Sequence, residues 1–329
     1  MKIISATISG LQAISLLPPG IFFGVWANLI TVLRMNYLLQ IGFDNSHRLS
    51  RKEYFFEYRG VRFKLVQRNP RKWSDALLTI IPDMDGTAEE LAFARAAEYL
   101  SALAWQNYST VAFWQSGTCS WSGELSLDEA KPFMSTPPRI PSSGIVLGYD
   151  LTRIPHVETD EQRKALALFR EAHASNNDYL SFLFYWQVLE VKGRRPEDVV
   201  DKTRRKDRSR VRLPKSDIDD LPLAGQTLGH YLLDDCRHAI AHIRRKPGKK
   251  TLDLDKAAER IRLTHSVWVI KAFAEYYIRE NLGLSNQLCL CRQRRNDFPT
   301  FVDSQTMRRS QFKQAYPSAR LIRRFIRRQ

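Results

Sequence analysis

Residues 236–243 read Cys-Arg-His-Ala-Ile-Ala-His-Ile and place one guanidinium and two imidazoles within about two turns of a helix. An imidazole has an unperturbed pKa of about 6.5, so His242 can take or give a proton near neutrality. A guanidinium presents a fixed fork of donors to phosphate oxygens, so Arg237 can hold a phosphate as negative charge develops on it. Together these groups suit cleavage of RNA through its own 2′-hydroxyl, a reaction that needs neither metal nor cofactor. Positions five apart on an ideal helix point about 140° apart, so Arg237 must reach round to act with His242. His238 lies four residues before His242, shares its face, and could position the phosphate or hold the imidazole. Two other readings stay open. Arg237 could pair with Asp234 or a neighbouring helix while His242 packs beside Ile243, both serving only the helix end. Asp234, His238 and His242 also form a straight line at four-residue spacing that could ligate a metal, with His265 as the one further strong ligand downstream; no metal is the favoured expectation.

The elements that must position this pair are helical. Apolar periodicity predicts helices over Glu161 to Ala174, Tyr179 to Val191, Leu223 to Ile243 and Leu254 to Asn281, the last ending near Gly283. The charged stretch from Arg194 to Lys215 reads as an exposed loop. An up-and-down bundle over residues 160–285 is implied, with the pair on its third long helix.

The arginine, the polar residue after it and the later histidine resemble the signature of the HEPN superfamily, with His238 at the polar position. The core of the earlier helix, Ser-Phe-Leu-Phe-Tyr-Trp-Gln-Val-Leu-Glu at 181–190, resembles the family's preceding helix, and Glu190 fits its acidic position. The overall layout, an N-terminal domain before such a bundle, is similar to MauJ-type and ApeA-like proteins. The resemblance covers about residues 160–282. It implies a metal-independent endoribonuclease or RNA-binding bundle, a homodimer whose two motifs meet in a composite site, and a toxin or antiviral-defence setting.

Upstream the texture is different. Tyr54 to Tyr58 and Val61 to Val66 flank Arg59 and Gly60 in the manner of a hairpin, and Leu77 to Ile81 is a third apolar run closed by Pro82. Thr87 with Glu90 has capping-box spacing, and Leu91, Ala94, Ala97, Leu100, Leu103 and Ala104 form a helical stripe. Val111 to Trp114 and Ile145 to Leu147 are candidates to return to the sheet. Residues 50–155 therefore read as a small α+β domain, and the fold class as α+β followed by an all-α bundle.

Residues 3–33 carry no charge. That is long enough to cross a bilayer, but Pro18, Pro19 and Gly20 interrupt it. Three readings compete for the segment 1–34: a membrane anchor, a packed extension, and translation beginning at Met35, which is favoured. If the segment inserts, Arg34, Arg48, Arg51 and Lys52 keep the rest on the cytoplasmic side.

The chain has a net charge of +16 and a pI near 9.8, which favours an anionic partner such as RNA. Arg244 and Arg245 beside the motif, and Arg294, Arg295, Arg323 and Arg324 in the basic tail 292–329, are the expected RNA contacts. Aromatic residues interleaved in that tail would stack on bases; a plain basic tail or an amphipathic helix fits it equally well. The four cysteines form no CxxC pairs, so a reducing, cytoplasmic compartment fits better than a disulfide framework. The alternatives to a nuclease are a non-catalytic RNA- or protein-interaction module and a membrane-anchored regulator.

Overall fold

A computed structural model describes residues 36–286 except 70–71, 82–86, 122–124, 135–137, 139–145, 148–150, 152–153, 208, 212, 214, 242–252 and 254–255. An antiparallel sheet is followed by a helical region. The sheet runs β3-β4-β5-β1-β6, from β1 (Asn36–Asn45), β3 (Glu53–Tyr58), β4 (Val61–Val66), β5 (Asp75–Ile81) and β6 (Val111–Trp121). The β3–β4 hairpin turns on Arg59 and Gly60, both at positive φ (50° and 81°), the conformation that a two-residue turn matching strand twist demands.

Strand β1, absent from the sequence expectations, sits between β5 and β6. Its residues from Leu38 to Asn45 are all buried, because both faces of the sheet are covered there. Leu39, Ile41 and Phe43 point with Phe63, Leu65, Leu77 and Ile81 at helix α1 (Thr87–Asn107). Leu38, Val66, Ala76 and Leu78 point the other way, against Leu127 and Ala130 of a strap across the outer face. Polar side chains hold that strap: Gln40 accepts from the Phe133 and Met134 amides at 2.7 and 3.0 Å, and buried Lys64 donates to the Asp128 and Ala130 carbonyls at 2.7 and 3.1 Å. Of the Ile145 to Leu147 run, the described residues Val146 and Leu147 do not rejoin this sheet. Val146–Leu147 (β7) pairs in parallel with Arg48–Leu49 (β2), a separate two-stranded ribbon.

Helix α1 departs from the expected stripe in phase. Leu91 is 50% exposed, and the buried line begins at Ala92 and Ala96. From Tyr99 to Gln106 the helix is buried all round. Tyr99, Leu100, Leu103 and Ala104 belong to the sheet's core, whereas Ala102 and Trp105 belong to the bundle's. A helix wedged between two cores shows no single apolar face, which is why its stripe misleads.

The bundle comprises α2 (Asp160–Ala174), α3 (Asp178–Glu190), α4 (Pro196–Lys206), the short α5 (Lys215–Asp219), α6 and α7. Helix α6 begins at Leu228–Tyr231, passes through a π-helical stretch Leu232–Arg237 and ends in His238–Ala241. Helix α7 spans Ala257–Tyr276 and closes in a second π-helical stretch, Tyr277–Asn281, before Gly283 at φ 73°. Helix α2 opens on a capping box of Thr159 and Gln162, and Gln162 also donates to the Leu282 carbonyl at 2.8 Å. Arg170 crosses from α2 to α1, donating to the Ala97 carbonyl and Ser101 Oγ at 3.1 and 2.7 Å, with its guanidinium 4.0 Å from the Phe113 ring centre. That set of partners offsets the cost of burying its charge.

The expected loop at 194–215 is corrected to helix α4 over half of its length. Pro196 stands in its first turn with Glu197 and Asp198, and Arg204, Arg205 and Lys206 close it, the arrangement a helix dipole favours. Pro196, Glu197, Val200 and Thr203 are its buried line. No helix among the described residues is long and apolar enough to cross a membrane. Residues 3–33, for which a membrane anchor is one of three readings, lie outside those described.

Asp75, at the start of β5, accepts from the Arg68 amide at 2.8 Å. Burial pushes its carboxyl up to about 7, with neighbouring Asp44 adding to the effect. The unfolded carboxyl titrates near 4, so the folded state holds the proton more tightly between these values. Stability should therefore rise as pH falls from about 7 towards 4, by an amount on the order of a few kcal/mol, and Asp75→Asn should flatten that window. Chemical denaturation across pH 4 to 8 checks it.

Candidate functional site

Arg237 falls on helix α6, whose start is held by backbone contact. A side chain at Gly229 would meet the Glu197 backbone, with its carbonyl carbon and Cα at 2.9 Å and its carbonyl oxygen closer still. The Gly229 amide donates to Asp201 Oδ1 at 2.9 Å, and Thr227 caps the first turn through the His230 amide at 3.3 Å. Helices α4 and α6 therefore meet without intervening side chains, and Arg237 inherits a fixed origin.

Between Leu232 and Arg237 the backbone widens, with the His238 amide donating to the Leu233 carbonyl, five residues back. Widening leaves the Asp235 carbonyl to another partner, and Arg262 of α7 supplies it at 3.0 Å. The same guanidinium donates to Tyr231 Oη at 3.3 Å and to Glu259 at 2.6 Å. Burial works against its charge, but the bonds to Glu259 and Tyr231 more than compensate and hold it above the ordinary arginine range. Behind it, Cys236 donates to Ser266 Oγ at 3.4 Å. Burial pushes its thiol up to about 11, so Cys236 stays protonated and packs rather than attacks.

Arg237 itself is half-buried and forms no side-chain hydrogen bond or ion pair among the described residues. The reading that pairs it with Asp234 fails there, because Asp234 binds its own helical neighbour, His238 Nδ1, at 3.1 Å. His238 is thus oriented by a carboxylate on the face the spacing assigned to it. Glu190 ends α3 as expected, but its carboxylate accepts from Trp186 Nε1 at 2.9 Å. It makes no bond to Arg237 or His238 among the described residues.

His242, Arg244 and Arg245 lie outside the described residues, as do Arg294, Arg295, Arg323 and Arg324 of the tail. Asp234 and His238 do share a face, as the metal-binding alternative requires. No group of three metal-ligating side chains occurs among the described residues, and His265 stands exposed on α7.

A second polar cluster, which no sequence motif announces, lies at the junction of α1, α2, α3 and α7. Buried Lys271 lies 3.2 Å from His173 Nδ1 and 4.5 Å from the Tyr108 ring centre, and Tyr185 Oη is 3.3 Å from the same nitrogen. Tyr108 in turn donates to Glu275. Its members are scattered along the chain from Tyr108 to Glu275, so no local spacing betrays it.

Residues 165–279 match the family model described as Methylamine utilization protein MauJ, a span from within α2 to the π-helical end of α7 that leaves out the sheet. No curated protein and no solved structure matches the chain.

The two arginines of this site should separate under substitution. Arg262→Ala leaves the Asp235 carbonyl without its side-chain donor and removes one of the two partners of the buried Tyr231 hydroxyl, and should cost about 1–3 kcal/mol. Arg237→Ala breaks no bond to a described residue and should stay within about 0.5 kcal/mol of the parent. Thermal and denaturant melts of both variants measure the difference.

Proposed function

We propose that residues 160–285 form a HEPN-like module that binds RNA and cuts it without a metal. Arg237 holds the scissile phosphate, His242 moves the proton between the 2′-hydroxyl and the leaving oxygen, and His238, fixed by Asp234, orients the phosphate. One observation carries this reading: Arg237 is half-buried yet unengaged among the described residues, while nearby Arg262 is tied to three partners. A part-exposed guanidinium with no internal partner among the described residues keeps its fork of donors available to an outside anion. The net charge of +16 supplies the long-range attraction.

Because positions 237 and 242 diverge on a helix, the two motifs of a homodimer meeting across a twofold would give one phosphate both groups. The sheet domain would then set specificity or docking.

Purified protein incubated with labelled RNA in EDTA should show cleavage. Arg237→Ala and His242→Ala should each lower the rate by about 100-fold or more, as expected for losing a charge-stabilising donor or an acid–base group. Cleavage that survives in both variants rejects the site. Salt-sensitive binding without turnover in the parent would leave only the binding half of the proposal.

A further inference from the structure

Helix α4 carries cations that its own acids do not neutralise. Lys202, Arg204 and Arg205 stand three or four residues after Asp198 or Asp201, spacings where helical ion pairs form, whereas Glu197 and Lys206 have no such partner on the helix. Each of those carboxylates is committed elsewhere. Glu197 pairs with Arg195 at 2.7 Å, Asp198 faces the same arginine at 3.7 Å, and Asp201 accepts from the Gly229 amide at 2.9 Å. Lys202, Arg204 and Lys206 make no side-chain hydrogen bond or ion pair among the described residues, and Arg205 donates only to the Asp201 carbonyl of its own helix at 3.3 Å.

Several basic residues elsewhere in the fold are paired. Arg163 and Lys164 hold Asp160, Arg95 and Arg59 hold Glu98, and Arg279 holds Glu280. On α4, Asp198, Lys202, Arg205 and Lys206 line an open depression of about 450 Å³. These positions fall on one stripe of the helix, and Pro196, Glu197, Val200 and Thr203 fix the opposite face in the bundle. The helix is anchored through Glu197 and Asp201 to the first turn of α6, the helix of Arg237.

We propose that the Lys202–Arg205–Lys206 stripe is a docking surface for the phosphate backbone of single-stranded RNA. The proposal rests on the RNA reading of Arg237 and adds where the strand is gripped away from the cut. Flexible cations on an exposed stripe suit a flexible polyanion, which can bring successive phosphates to them without base readout.

Binding of a labelled unstructured RNA oligonucleotide to the full chain, measured by fluorescence anisotropy over a salt series, tests it. A single strand loses affinity with a log–log slope of about 0.7 per phosphate contact. The triple change Lys202→Glu, Arg205→Glu, Lys206→Glu should therefore reduce the slope by about 2 and raise Kd by at least about 10-fold. The corresponding glutamine variant should show the same slope change with less repulsion, and matching melts of both variants confirm the fold. Arg237→Ala should reduce the slope by no more than one contact. An unchanged affinity and slope in the triple variants overturns the surface, even if Arg237→Ala abolishes cutting. A weakened triple variant in a protein that never cuts keeps the surface and rejects the catalytic reading. Parent protein that binds acidic peptide or anionic vesicles but not RNA overturns both.

Discussion

Everything at the candidate site depends on a place where two helices touch backbone to backbone. Gly229 leaves no room for a methyl group against Glu197, and Asp201 fastens its amide. Contact this close fixes the start of α6 more tightly than side-chain packing could, because backbone has no alternative rotamers. The π-helical stretch then re-aims the last turn of α6, and Arg262 stabilises the widened turn from across the bundle. Arg237 stands at the end of that chain of constraints, positioned by partners it does not itself touch.

Stiffness of another kind comes from α1. Its second half serves the sheet's core on one side and the bundle's on the other, with Trp105 edge-on to Phe169 at 5.0 Å between ring centres. Trp105 Nε1 also reaches the Ser285 carbonyl at 3.2 Å, tying the end of the bundle to the same helix. With Arg170 bonded to α1, sheet and bundle share buried structure, so strain introduced in one is felt in the other.

How much of each element is legible in the sequence depends on whether it has one environment or two. The β3–β4 hairpin is legible because Arg59-Gly60 is turn chemistry between alternating runs, and α2, α3 and α7 are legible from their helical period. Strand β1 is not, because burial on both faces erases alternation. Helix α4 reads as a loop because charge density conceals a narrow buried line at Pro196, Glu197, Val200 and Thr203. At the site, the pairing of Asp234 with His238 can be expected from four-residue spacing. The π-helical turn cannot, since Arg262, which bonds the Asp235 carbonyl within it, lies far along the chain. Glu190 falls at the end of α3 as its position suggests, where its carboxylate accepts from the Trp186 indole.

We propose that a guanidinium left open on α6 and the imidazole of His242, five residues later in the sequence, act on a phosphodiester that is attacked by its neighbouring 2′-hydroxyl. The most direct measurement uses an RNA cleaved at one position and the same strand carrying a single 2′-deoxy nucleotide there, with the product ends identified by mass spectrometry. The account predicts a cyclic 2′,3′-phosphate and a 5′-hydroxyl from the first strand and no cleavage at that position in the second. Equal cleavage of both strands, or products bearing a 5′-phosphate, would contradict it.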